Sequence, residues 1–193
     1  MLRADGGELA SVGEILKSLA RTTSHSLYHA EDRGTHDARF TRVARPFPMT
    51  HAPIRLGISA CLLGQRVRFD GGHKRDPFLV ESLGQFVDWV PVCPEVESGL
   101  DAPRESMRLV QADGRIRLLT NKTAQDHTAR MLGYARRRVH ELAESELSGF
   151  VFKKDSPTCG LERVKVYGAA GMPLKTGRGL FADALATRLP LLP

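Results

Sequence analysis

No stretch of this 193-residue chain approaches the roughly 20 consecutive apolar residues that span a bilayer. Its first residues, Met-Leu-Arg-Ala-Asp-Gly-Gly-Glu, lack the apolar run of a secretory signal. The two absences together predict a cytoplasmic protein with no membrane partner. Cysteine is scarce: there are three, Cys61, Cys93 and Cys159. Pairing would leave one thiol over, and in a reducing compartment unpaired cysteines more often serve metals or catalysis than disulfides. No two of them form a C-x-x-C pair, so a zinc ribbon or a thioredoxin-like site has no local support. No histidine lies in any of the three cysteine motifs, so a metal-free cysteine hydrolase lacks a nearby base. The glycines at Gly71-Gly72 and Gly177-Arg-Gly179 do not sit between a strand and a helix in the manner of a dinucleotide or P-loop motif. That argues against a nucleotide cofactor.

What is present suits one domain. Apolar residues make up 41% of the chain, enough for a sizeable core. The net charge of +6 permits an anionic partner such as RNA; many soluble proteins of that charge bind no nucleic acid. Residues 1–52 differ from the rest. They hold four of the seven histidines, scattered rather than at ligand spacing, and one helical pattern at Leu9–Leu19. A polar stretch from Thr22 to Arg45 follows, closed by Pro46-Phe47-Pro48-Met49. We read 1–52 as a poorly ordered extension, with Met49 a candidate start, and 53–193 as the folded domain.

From Ile54 the pattern sharpens. Ile54–Ala60, Trp89–Val92, Phe150–Phe152 and Arg163–Tyr167 read as strands. Asp76-Pro77 opens a short helix running to about Leu83, with Asp as cap and Pro at the first helical position. Ala124–Leu147 reads as the longest helix, capped by Thr123 and Asp126. Its apolar stripe is Ala124, Met131, Leu132, Ala135, Val139 and Leu142. Leu180–Leu189 is the last helix. Strands alternating with helices predict an α/β fold, Rossmann-like, with a mostly parallel sheet and flanking helices. Ligands of such sheets bind beyond the carboxyl ends of the strands. Cys61 and Cys93 directly follow predicted strands, and Cys159 follows one after a short loop, so the three thiols can meet at one sheet edge.

Three thiolates suit an iron–sulfur cluster with one iron left open. A three-cysteine zinc site needs a fourth ligand, and His73 is the candidate in the first loop. Any one of these cysteines could equally be a small buried hydrophobe. Glu95, two residues past Cys93, can serve as a general base or as a helix N-terminal carboxylate. Ser156, three before Cys159, can position a substrate or simply shape a turn before proline. Arg66, Arg68, Lys74, Arg75, Arg104, Lys153 and Lys154 surround the same loops, as a phosphate-binding surface or a solvated rim.

Four segments together resemble the thiouracil desulfidase family. They are Ser-Ala-Cys61-Leu-Leu-Gly-Gln-Arg-Val-Arg-Phe-Asp-Gly, Val-Cys93-Pro-Glu-Val-Glu-Ser-Gly-Leu-Asp-Ala-Pro-Arg-Glu, Phe-Lys-Lys-Asp-Ser156-Pro-Thr-Cys159-Gly and Gly177-Arg-Gly-Leu-Phe-Ala. The likeness runs from about Ile54 to the C-terminus. It implies a 4Fe-4S cluster on Cys61, Cys93 and Cys159, with Glu95 and Ser156 as catalytic residues. It further implies non-redox removal of sulfur from a thiolated uracil, as free base, nucleoside or within tRNA. The open iron would polarise the C–S bond and take the sulfide. A module that binds a cluster or RNA without this activity is the alternative, and the presence of both Glu95 and Ser156 weighs against it. Two departures stand out: the N-terminal extension, and an end at Leu189-Pro-Leu-Leu-Pro193 where the family continues into a short acidic segment.

Overall fold

A computed structural model describes residues 54–168 and 171–193. The expected extension 1–52, with its helix at Leu9–Leu19, lies outside the described residues. Three strands form a parallel sheet: β1 (Ile54–Ser59) in the middle, β2 (Val87–Val92) on one side and β5 (Gly149–Val151) on the other. These are the first three strands expected from the sequence, within a few residues at each end. Between β1 and β2, Asp76 accepts a hydrogen bond from the Leu79 N–H at 3.2 Å, as a helix cap should. The segment it caps is one wide helical turn, Phe78–Ser82, tightening into Leu83–Gln85, rather than a regular helix.

A second, mixed sheet was not foreseen, although one of its strands, β6, matches the expected strand Arg163–Tyr167. It runs β4-β3-β6-β7, with β3 (Met107–Ala112), β4 (Arg115–Thr120), β6 (Val164–Tyr167) and β7 (Pro173–Gly177). Only the β3–β6 pair is parallel. β3 and β4 form a hairpin whose turn is Asp113-Gly114, both at positive φ (51° and 70°). Asp-Gly is the sequence signal for such a turn, because glycine and aspartate tolerate that backbone region. The Arg-Ile-Arg-Leu alternation at 115–118 is a strand signal that the sequence reading passed over. The α/β class holds; the mostly parallel description applies to the first sheet.

Three helices complete the domain: a single turn α1 (Pro94–Glu97), then α2 (Thr128–Glu144) and α3 (Leu180–Arg188). α2 starts four residues later than Ala124 because 124–127 do other work. Ala124 has φ 54°, Asp126 bridges to Leu119, and the His127 N–H bonds the Leu118 carbonyl. Thr123 does not join Asp126 in a cap; its hydroxyl bonds Glu105. Of the expected stripe, Met131, Ala135, Val139 and Leu142 are buried, whereas Leu132 is exposed and Tyr134 takes its place inside. These side chains share one core with Leu109, Leu118, Val164 and Val166 of the second sheet, Val92 and Phe150 of the first, and Phe181 and Leu185 of α3. Among the described residues, no helix is long and apolar enough to cross a membrane.

Candidate functional site

The carboxyl ends of β1, β2 and β5 open into one cavity of about 200 Å³. All three cysteines line it, together with Glu95, Ser156, Thr158, Arg68, Arg104 and Lys153. Five residues expected from the sequence to carry the chemistry are thus neighbours in space. His73 is not among the lining residues; its Nδ1 accepts the Arg75 N–H at 3.1 Å. Cys61 and Cys93 are placed by the strands they follow, and Cys159 by a loop beyond β5. Cys61 sits in a tight turn right after β1 and is buried. Its carbonyl accepts the Lys74 N–H at 2.9 Å, which ties the far end of the following loop back to it. Cys93 follows β2 and starts α1, with Pro94 at the first helical position. Its N–H donates to Glu97 at 2.6 Å, and Glu97 in turn accepts from the Tyr134 hydroxyl at 2.6 Å.

Cys159 is set by close backbone packing. The loop 156–160 docks on the first turn of α3. The Leu180 N–H donates to the Pro157 carbonyl, and the Phe181 and Ala182 N–H groups donate to the Thr158 carbonyl. Free N–H groups at a helix start need such acceptors. The approach is close enough to require glycine: a Cβ on Gly179 would stand 2.5 Å from the Thr158 carbonyl carbon and 2.9 Å from the Cys159 nitrogen. Gly179 belongs to the Gly177-Arg-Gly segment, which, contrary to the sequence expectation, does lie between a strand, β7, and a helix, α3; β7 runs antiparallel to β6, so this is not the parallel unit of a dinucleotide motif. Its glycine serves backbone packing.

Glu95 is fixed on both oxygens. Its Oε2 takes the Arg104 Nε at 2.8 Å and also the Arg104 Nη2. Its Oε1 takes the Thr158 hydroxyl at 2.8 Å. Arg104, read from sequence as part of a basic rim, is 9% exposed and spends its remaining donors on the Asp101 and Val67 carbonyls. The Ser156 hydroxyl accepts the Thr158 and Cys159 N–H groups at 3.3 and 3.0 Å and meets the Thr158 hydroxyl at 3.0 Å. Sequence reasoning passed over Thr158. The signal was its place inside Ser-Pro-Thr-Cys159.

Burial dominates the thiols. It pushes all three up from their ordinary range, Cys159 to about 12. Lys153 and Arg68 pull Cys61 back down, and burial lowers Lys153 itself. In the ligand-free protein these cysteines are therefore protonated at neutral pH. Binding a group that takes thiolates must release protons. Among the described residues no three His, Cys, Asp or Glu side chains gather closely enough for a single metal ion. A cluster several atoms across takes its thiolates from farther apart. Three soft donors around one cavity, with cations beside them to balance thiolate charge, fit an iron–sulfur cluster.

A family model described as 2-thiouracil desulfurase matches residues 56–193. The chain belongs to the 2-thiouracil desulfurase family. Among solved structures, one described as the 4Fe-4S-dependent thiouracil desulfidase TudS is similar, with 28% identity and a TM-score of 0.57. The match covers 69% of this chain and 85% of that one. No curated protein matches the chain. The desulfurase-family match contains the cavity, all three cysteine turns and the α3 dock, and it starts two residues into β1.

Proposed function

We propose that this protein removes sulfur from thiolated uracil, using a 4Fe-4S cluster held by Cys61, Cys93 and Cys159, with Glu95 and Ser156 in the catalytic machinery. The reading is carried by one observation: three thiols from three neighbouring strand ends share a cavity with a doubly anchored carboxylate. Family membership and the likeness to a 4Fe-4S-dependent desulfidase support it.

The overall reaction exchanges the thiocarbonyl sulfur for a water oxygen. A C–O bond forms, the C–S bond breaks, sulfide leaves, and no electrons are transferred. When bound, the cluster would supply an iron without a protein ligand, a Lewis acid for the thiocarbonyl sulfur and an acceptor for sulfide. The remaining tasks fall to side chains. Glu95 takes a proton from the incoming water, or passes it by way of the ring nitrogen. Arg104 and Thr158 hold its carboxylate at fixed bearings, so little reorganisation accompanies proton transfer. Ser156 holds the Cys159 turn through two backbone N–H groups. Three free cysteines suit a reducing compartment such as the cytoplasm.

Thiouridine within RNA is a substrate form consistent with the neighbouring surface. A second cavity of about 380 Å³ shares Met107, Asp155 and Pro157 with the first, and Arg108, Lys165 and Lys175 line it. Lys165 and Lys175 face each other across β6 and β7. Such a pair favours an anionic occupant.

The test replaces Glu95 by Gln. The variant should keep the iron content of the parent while turnover of 4-thiouracil, followed by its absorbance, falls by about a hundredfold or more. Parent-like turnover would remove Glu95 from the mechanism.

A further inference from the structure

Thr158 is almost completely buried (1% exposed), yet its hydroxyl has three polar neighbours. They are Glu95 Oε1 at 2.8 Å, Ser156 Oγ at 3.0 Å and Cys159 Sγ at 3.8 Å. A threonine hydroxyl has one hydrogen to give. The carboxylate is the nearest of the three and the strongest acceptor, so it takes that hydrogen. The Thr158 oxygen then faces Ser156 as an acceptor. Ser156 Oγ already accepts the backbone N–H groups of Thr158 and Cys159, which occupy its two lone pairs. Its one hydrogen is left to give, and Thr158 is the acceptor within reach. Donor counting therefore fixes the direction of a chain: Ser156 O–H to Thr158 O–H to Glu95 carboxylate.

We propose that Thr158 is a positioning residue that couples Ser156 to Glu95, so that Ser156 acts on the reaction through the carboxylate rather than by touching the substrate. The inference rests on the desulfuration reading and deepens it. Chained hydroxyls polarise one another, so losing either link weakens the bond that orients Glu95. Arg104 holds only the other oxygen, Oε2, and cannot replace the donor on Oε1. The same Thr158 offers its carbonyl to the first turn of α3, which keeps its backbone still while the side chain spans the gap. Thr158 thus ties together the loop that carries Cys159 and the turn that carries Cys93 and Glu95.

The test combines Thr158→Val, Thr158→Ser, Ser156→Ala and the Thr158→Val/Ser156→Ala double variant, all purified anaerobically as full chains. Iron per protein and the visible spectrum report the cluster independently of activity. Thr158→Val should keep its iron, lose about tenfold or more in kcat on 4-thiouracil, and leave KM within about twofold. Thr158→Ser restores the hydroxyl and should return kcat to within about threefold of the parent. The double variant should be no slower than the worse single variant, because both remove the same chain. A double variant slowed by the product of the two single effects would overturn the proposal, as would parent-like kcat in Thr158→Val. Infrared spectra of protein with labelled glutamate supply a readout that needs no turnover. The Glu95 carboxylate band, assigned by its absence in Glu95→Gln, should shift in Thr158→Val and return in Thr158→Ser. An unshifted band overturns the bridge, even where iron is lost. A band that shifts in Thr158→Val, together with a parent protein that leaves 4-thiouracil intact, overturns the desulfuration reading and supports the bridge.

Discussion

Glu95 and Arg104 form the least exposed ion pair at the cavity, and Thr158 closes the opposite side of the carboxylate. Two residues from separate turns thereby fix the carboxylate of a third. The backbone beside them tolerates as little freedom as the side chains do. Gly179 has ordinary φ and ψ (−65° and 144°), so its requirement is purely steric. Gly179→Ala would drive a methyl into the Thr158–Cys159 peptide, which is backbone and cannot rotate away. We expect a loss of about 1–3 kcal/mol in urea unfolding, together with reduced iron after anaerobic reconstitution. Parent-like stability and iron content would show that the loop does not depend on that contact. The cysteines and Glu95 were legible in sequence because strand-end turns display them locally. Thr158 was not, since its meaning depends on a carboxylate 63 residues away. Arg104 likewise reads as a surface charge until the turn carrying it folds back onto Glu95.

At the scale of elements, the parallel strands were legible because each is a short apolar run ending at a turn. The mixed sheet was not. β4 places Arg115 and Arg117 on its exposed side, and β7 has a polar, exposed run with Lys175 at its centre. Their pairing is set by the Asp113-Gly114 turn and by contacts distant in sequence. The start of α2 shows the same conflict between local and tertiary demands. Helical periodicity extends back to Ala124, but β4 captures 125–127 in backbone hydrogen bonds. His127 is then the cap position, without a side-chain cap bond, and Asp126 just before it accepts the Thr128 N–H at Oδ1 (2.8 Å). Hydrogen bonding from the Thr128 side chain, then its N–H, holds the Asp126 carboxyl below the usual carboxylate range. A depressed carboxyl stabilises the fold above its unfolded pKa, and that contribution fades as pH falls through the lower folded value. Asp126→Ala should therefore cost about 1 kcal/mol at neutral pH by denaturant unfolding. The difference from the parent should shrink as the pH is taken below 3.8, the ordinary value for aspartate. A difference that persists undiminished in acid would assign the loss to packing rather than to the charged carboxylate.

On the scale of the whole molecule, the two sheets and the two longer helices share one core, and the cavity lies where the parallel sheet ends. That arrangement explains why residues from three distant segments meet at one cavity. It also sets what the protein does with its thiols. Burial keeps them protonated, so a group that takes thiolates, such as the proposed iron–sulfur cluster, would release protons on binding. On the proposed function, this cavity, loaded with a cluster on Cys61, Cys93 and Cys159, desulfurates thiouracil without redox chemistry. The most direct measurement is anaerobic: iron and acid-labile sulfide per protein, then incubation with 4-thiouracil and no added reductant, with uracil and released sulfide quantified. The proposed function predicts a brown protein with about four irons per chain that yields uracil and sulfide in equal amounts. A colourless, iron-free protein after anaerobic reconstitution, or a brown one that leaves 4-thiouracil unchanged, would contradict it.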